Sequence, residues 1–190
     1  MPLVQSRRHL ENARHAATQM RTAASFDAYE AAWRQFLQEI NKVWKKVELE
    51  CKKNTRFNGW RSRYVELRKS DALLSYVLHA RNSDEHTLTE ITKRTPGSIA
   101  ISAPPETDVL HIRSLTVRAG GLIEYDGSPA VFQVTHPSVQ LERVFDRGVW
   151  YEVPETHLGE TLTDKIPHSI AERAVAFYAD YIDAAEKKFS

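Results

Sequence analysis

Between Phe26 and Cys51 the residues Phe26, Tyr29, Trp33, Phe36, Leu37, Ile40, Val43, Trp44, Val47 and Cys51 recur at steps of three and four, the spacing that lines up one face of an α-helix. A strand alternates faces at every residue and cannot gather that set. A long amphipathic helix follows, and its apolar side requires partners to cover it. Asp27, with Glu30 three residues on, suits a capping box at its start. A weaker helix over 3–24 (Leu10, Ala13, Ala17, Met20) packs against it. After an interruption from Lys53 to Gly59, the spacing predicts a third helix over 60–91, with Trp60, Tyr64, Leu67, Asp71, Leu74, Leu78, Arg81, Glu85 and Leu88 alternately four and three apart. A final helix starts near Pro167, a residue suited to the first helical position, and runs to Phe189 with Ile170, Ala174, Phe177, Tyr178, Tyr181 and Ala185 on its apolar side.

After Thr95-Pro96-Gly97 the periodicity changes. Short β-branched runs over 99–102, 109–117, 122–125, 130–135, 139–145 and 149–153 alternate with turn residues such as Gly120-Gly121, Asp126-Gly127-Ser128-Pro129 and Asp146-Arg147-Gly148. Connections this short join antiparallel neighbours. The fold class is therefore α+β: a helical bundle of three N-terminal helices plus the C-terminal one, carrying an inserted antiparallel β-meander. The segments are 1–95 (bundle), 96–166 (β) and 167–190 (helix packing back on the bundle).

At 190 residues, 42% hydrophobic and 27% charged, a folded domain buries roughly 70% of the surface of its unfolded chain and needs no staple. The single Cys51 cannot form an internal disulfide, which suits a reducing compartment. The N-terminus MPLVQSRRHLENARH has no signal-peptide apolar region and no run reaches spanning length, so a cytoplasmic protein without a membrane partner is expected. Charge is uneven. Residues 1–95 hold 18 basic and 11 acidic side chains and residues 96–190 hold 8 and 14. The basic excess concentrates between Lys42 and Lys69, where Lys45, Lys46, Lys52, Lys53, Arg56, Arg61 and Arg63 are interleaved with Trp44, Phe57, Trp60 and Tyr64. Cations for phosphates beside rings for unpaired bases make a single-stranded RNA-binding composition. The plainer reading is a solvated face, with Trp44, Trp60 and Tyr64 in the core.

The third helix contains the run HARNSDEH. Arg81, the polar Asn82 and, after three residues, His86 form an R-[polar]-x-x-x-H motif, and here the chain resembles the HEPN superfamily over roughly residues 1–95 with the last helix. The β segment is not part of that family's basic pattern. The resemblance implies a helical bundle, commonly dimeric, and a metal-independent endoribonuclease of a toxin or defence system with no cofactor. It equally admits a catalytically inactive dimerisation or binding module. Metal-free RNA cleavage needs a base for the ribose 2′-OH, an acid for the departing 5′ oxygen and a cation for charge building on the phosphoryl oxygens. His86 can serve as acid or base and Arg81 can grip a phosphate with two parallel donors. Asn82 and His86, four apart, share a helix face. Arg81 and His86, five apart, sit about 140° from each other around the axis, so pairing two copies of this helix across a two-fold would gather both pairs in one groove. A homodimer is thus expected, with a protein or small-ligand partner for the β segment. The plain alternative pairs Arg81 with Glu85 as a structural ion pair.

His79 and Ser75 lie on the Asn82–His86 face, making His79 a second candidate for the groove. His111, His136, His157 and His168 lack zinc-site spacing. Gly120-Gly121 reads as a hairpin turn, and Glu155 with His157 as loop residues. Nucleotide- and serine-hydrolase motifs are absent.

Overall fold

The computed structural model describes residues 3–86, 91–118, 122–135 and 137–189; the side chains of Glu85 and His86 lie outside the described set. Helix α1 (Val4–Arg21) lays Leu10, Ala13, Ala17 and Met20 on α2 (Phe26–Cys51), whose periodic residues Trp33, Phe36, Leu37, Ile40, Val43 and Val47 are all buried. The cap of α2 is Ser25, whose hydroxyl accepts the Ala28 N–H at 3.1 Å. The expected capping box at Asp27 and Glu30 does not form, because the helix already begins at Phe26 and leaves Asp27 inside its first turn; both carboxylates meet Arg94 instead, each at 2.7 Å.

The single helix expected over 60–91 is two. Helix α3 (Phe57–Ser70) ends at Asp71, which is extended at φ −75° and ψ 128°, and α4 (Ala72–His86) starts immediately after. Aspartate competes with the helical backbone for hydrogen bonds. Here the Asp71 carboxylate accepts the Leu74 N–H at 2.9 Å while its carbonyl accepts that of Ser75. It therefore caps α4. The same carboxylate meets His157 Nδ1 at 3.0 Å and the Leu158 N–H at 2.6 Å. The apolar row continues in register through the break, which is why periodicity alone merges the two helices.

Helix α5 (Pro167–Phe189) packs on α1, α2 and α4 with Ile170, Ala174, Tyr178, Tyr181 and Ala185 buried. Trp44 and Trp60 both stack on Tyr181, with ring centroids at 5.1 and 5.5 Å, and Tyr64 lies 4.7 Å from the same ring. Those aromatics belong to the core.

Between α4 and α5 the described residues form ten short strands, all in antiparallel pairs where a register is defined: β1 (Thr92–Thr95), β2 (Ser98–Ser102), β3 (Ile112–Val117), β4 (Ile123–Gly127), β5 (Val131–Thr135), β6 (Ser138–Leu141), β7 (Val144–Asp146), β8 (Val149–Tyr151), β9 (Thr156–His157) and β10 (Glu160–Thr161). The first six pair as β1 with β6, β2 with β5 and β3 with β4. Antiparallel pairing agrees with the short connections, but the pairs nest inside one another instead of following in sequence. The β7–β8 and β9–β10 hairpins turn through Arg147-Gly148 and Leu158-Gly159, both residues of each turn at positive φ. A two-residue turn that matches strand twist requires that conformation, and glycine adopts it without strain.

Met1–Arg94 with Val139–Ser190 form one compact unit and Thr95–Ser138 a second. The division runs through the β segment, leaving β7 to β10 with the helices. Among the described residues no helix is long and apolar enough to cross a membrane.

Candidate functional site

Helix α4 buries Leu73, Leu74, Tyr76, Val77 and Ala80 and leaves His79, Arg81 and Asn82 half-buried. Facing it is β7, where alternation puts Val144 and Asp146 on the buried side and Phe145 on the other, against Trp150 at 5.1 Å. The tight β7–β8 turn holds Asp146 at the strand's end, so its carboxylate reaches the helix. Asp146 Oδ2 accepts the Asn82 Nδ2–H at 2.9 Å and lies 2.7 Å from His79 Nδ1. The His79 ring stacks on Tyr151 with centroids 3.5 Å apart and an interplanar angle of 11°. Arg81 Nη1 in turn donates to Asn82 Oδ1 at 3.3 Å. One polar chain thus runs His79, Asp146, Asn82, Arg81.

Burial by itself pushes the Asp146 carboxyl up, but hydrogen bonds from Asn82 and His79 outweigh it and hold the group below its ordinary range. An ionised Asp146 can accept from both donors at once. Asp146→Ala leaves His79 and the Asn82 amide without that acceptor. The expected result, read by urea denaturation, is a loss of about 1–3 kcal/mol, the usual penalty for orphaned buried polar groups.

His86 closes α4, and its side chain is among those not described. By helix geometry its position stands on the face of Asn82, one turn away, and of His79, two turns away. Counted at the backbone, Arg81 stands off that face. Its guanidinium nevertheless donates to Asn82 Oδ1 of the neighbouring residue. Arg81 and Asn82 are thus joined within one copy of α4. Nearby, Asp84 accepts from Arg34 of α2 at 2.9 Å.

The basic residues divide by role. Arg61 is half-buried, bonded to Glu48 at 2.8 Å with its guanidinium 4.4 Å from the Trp44 ring centroid. Arg63 donates to the Tyr64 hydroxyl at 2.7 Å and lies 4.6 Å from its ring. Arg61 thus ties α3 to α2, while Arg63 is exposed and lies against its own helix neighbour. Lys45, Lys52, Lys53 and Arg56 are exposed and Lys46 is half-buried. Lys53 and Arg56 line a cleft of about 430 Å³ with Asn54, Thr55, Phe189 and Lys188, the last a cation that no local sequence signal connects to them. This cleft stands apart from the motif. Arg34, which touches α4, and Cys51, where α2 ends, are 17 positions apart, or about 25 Å of helix.

Elsewhere, His157 is a buried β9 residue bonded to Asp71, while Glu155 is exposed and pairs with Lys165 at 3.0 Å. His168 meets the Tyr29 hydroxyl at 3.1 Å, and burial lowers its pKa. His111 is exposed. His136 and Gly120-Gly121 lie outside the described residues. Among the described residues no three His, Cys, Asp or Glu side chains are grouped to hold a metal ion.

Of the site, His79, Arg81 and Asn82 are readable from the sequence as neighbours on one helix. Asp146 and Tyr151 are not, because they enter from strands more than sixty positions away. Comparison with known proteins finds no matching family model, no significantly similar curated protein and no significantly similar solved structure.

Proposed function

We propose that the protein is a metal-independent endoribonuclease of the kind the HEPN resemblance implies, serving a toxin or defence system, with its site on the last turns of α4. Arg81 holds the scissile phosphate and neutralises charge on its non-bridging oxygens. The ribose 2′ oxygen loses its proton to a base and attacks phosphorus, and the 5′ oxygen leaves with a proton from an acid. The products are a 2′,3′-cyclic phosphate and a 5′ hydroxyl. His86 is the acid or base. Asn82 fixes the guanidinium, and Asp146 fixes Asn82. What supports this reading above all is that tether: a β strand from the far side of the sequence anchors the motif's asparagine, which takes a hydrogen bond from the motif's arginine. Holding reactive groups in place before substrate arrives is what catalysis asks of a scaffold. The exposed Lys52, Lys53 and Arg56, at the other end of α2, supply sequence-independent contacts to a single-stranded RNA long enough to reach them.

The test is incubation of the purified protein with labelled single-stranded RNA, and with DNA of the same sequence, in the presence of EDTA. RNA is expected to be cut to fragments ending in 2′,3′-cyclic phosphate, and DNA, which lacks the 2′ nucleophile, to survive. Cleavage abolished by the chelator, or equal cleavage of DNA, removes the mechanism.

A second reading, a catalytically inactive dimerisation or binding module, is favoured by the apolar surface of the unit Thr95–Ser138. It expects no RNA turnover at all.

A further inference from the structure

We infer that His79 is the second proton-transfer group of the site on α4, working opposite His86 across the phosphate that Arg81 holds. The inference rests on the nuclease reading and completes it. Cleavage needs one group to take the 2′ proton and another to give a proton to the 5′ oxygen, and the motif supplies a single imidazole.

The contact with Asp146 fixes the tautomer of His79. Against its burial, hydrogen bonds from Asn82 and His79 keep the Asp146 carboxyl ionised, and a carboxylate can only accept. The proton in the 2.7 Å contact between His79 Nδ1 and Asp146 Oδ2 therefore belongs to Nδ1. In the neutral ring the lone pair stands on Nε2, which can take a proton; in the charged ring the same atom can give one. An imidazole oriented by a carboxylate at its other nitrogen is the arrangement that holds a proton-transfer group ready.

The surroundings leave Nε2 as the atom free to react. Tyr151 covers one face of the ring at 3.5 Å and 11°, while Asp146 holds Nδ1, so the ring is restrained at both. Among the described residues Nε2 has no hydrogen-bond partner, and it is not one of the unpartnered side-chain atoms sealed from solvent. A cleft of about 360 Å³ opens beside it. Ser75, one turn before His79 on α4, and Tyr151, stacked on it, line that cleft with Tyr76, Trp150 and Thr156, so a substrate has a way to the ring.

Helix spacing sets His79 and His86 on either side of the phosphate. Asn82 follows His79 by three positions and His86 follows Asn82 by four, all on one face. The helix rise places them about 4.5 Å before and about 6 Å after Asn82 along the axis, and the Arg81 guanidinium is bonded to Asn82. In phosphoryl transfer the attacking and leaving oxygens stand on opposite sides of phosphorus, roughly in line. A phosphate gripped at Arg81 thus has one imidazole position toward each oxygen. As the 2′ oxygen bonds to phosphorus, its proton passes to one imidazole. As the bond to the 5′ oxygen breaks, the other imidazole supplies that oxygen's proton, leaving the two rings with their protonation exchanged.

The experiment is single-turnover cleavage of labelled single-stranded RNA by the full-length chain in EDTA, from about pH 5 to pH 8. The wild type is expected to give a bell, with one limb for the imidazole that must be neutral and one for the imidazole that must be charged. His79→Gln, close in volume but unable to titrate, is expected to lose about 10²–10⁴-fold in rate and one limb of the bell. His86→Ala is expected to lose the other limb. A residue that only braces α4 would lower the rate and leave both limbs in place, so an unchanged bell in His79→Gln overturns the inference, as does full activity. A measurement on the wild type covers the case in which the substitution unfolds the protein. Saturation with the same strand built from 2′-deoxy sugars, which lacks the nucleophile, is expected to move the ¹⁵N resonance of His79 Nε2; a resonance that stays in place overturns the inference. A wild type that cuts no RNA removes the nuclease reading and this inference with it. An active wild type with an equally active His79→Gln removes this inference alone.

Discussion

His86→Ala is expected to slow RNA cleavage by about 10²–10⁴-fold, the usual contribution of a positioned proton-transfer group. Stability, read by urea denaturation, should stay close to wild type, because the residue is the last of its helix. Arg81→Lys retains the charge but loses the planar fork that spans two phosphoryl oxygens, and a drop of roughly 10–100-fold is expected from that change alone. The two together are expected to lose less than the product of the single losses, since both act on one bond in one transition state. The measurement is single-turnover cleavage of labelled RNA as a function of pH. Histidine titrates near neutrality, so the wild-type profile should carry a limb there that His86→Ala lacks and Arg81→Lys retains. Full activity in His86→Ala, or an unchanged profile, would sink the assignment.

Asp71→Ala is expected to destabilise the fold by about 3–4 kcal/mol, because one side chain is both a helix cap and half of a buried charged contact. The carboxylate receives His157 Nδ1 and two backbone N–H groups, those of Leu74 and Leu158, so its loss unfastens α4 from β9. Burial alone pushes the Asp71 carboxyl up, yet the hydrogen bonds from His157, Leu158 and Leu74 outweigh burial and hold it below its ordinary value. A group whose pKa is lowered by folding contributes its stability above the unfolded value, about 4 for aspartate, and loses it as pH falls through the folded value. The gap between wild type and Asp71→Ala in urea denaturation should therefore be full at neutral pH and shrink below about pH 4. A gap that does not change with acidification would mean that the charge carries none of the effect.

The same residue shows why sequence reading merged two helices. Tyr64, Leu67, Asp71 and Leu74 keep helical spacing through the break, and spacing is all that periodicity sees. What ends α3 at Ser70 is the preference of one carboxylate for two N–H groups and an imidazole, and two of those three partners come from residues 157 and 158. Ser25 takes the cap expected at Asp27 by a local bond to the Ala28 N–H, and Asp27 and Glu30 pair with Arg94, far along the chain. The basic stretch makes a third case. Its composition suits RNA, but composition is blind to which arginines spend their donors inside the fold. Arg61 does so, on Glu48 and against Trp44, while Arg63 meets the Tyr64 hydroxyl at the surface and Lys53 and Arg56 stay open beside Lys188.

Local periodicity, turn residues and charge were enough to establish an α+β chain, the long α2, the start of α5 at Pro167, and the gathering of His79, Asn82 and His86 on one side of α4, because helix and strand repeat are properties of neighbouring residues. The nested pairing of β1 to β6, the Asp146 anchor under the motif and the separation of the basic cleft from it along α2 were decided only in three dimensions. Each depends on which separate segments meet when the chain folds, and contacts between residues far apart in the chain leave no repeat for a single sequence to display.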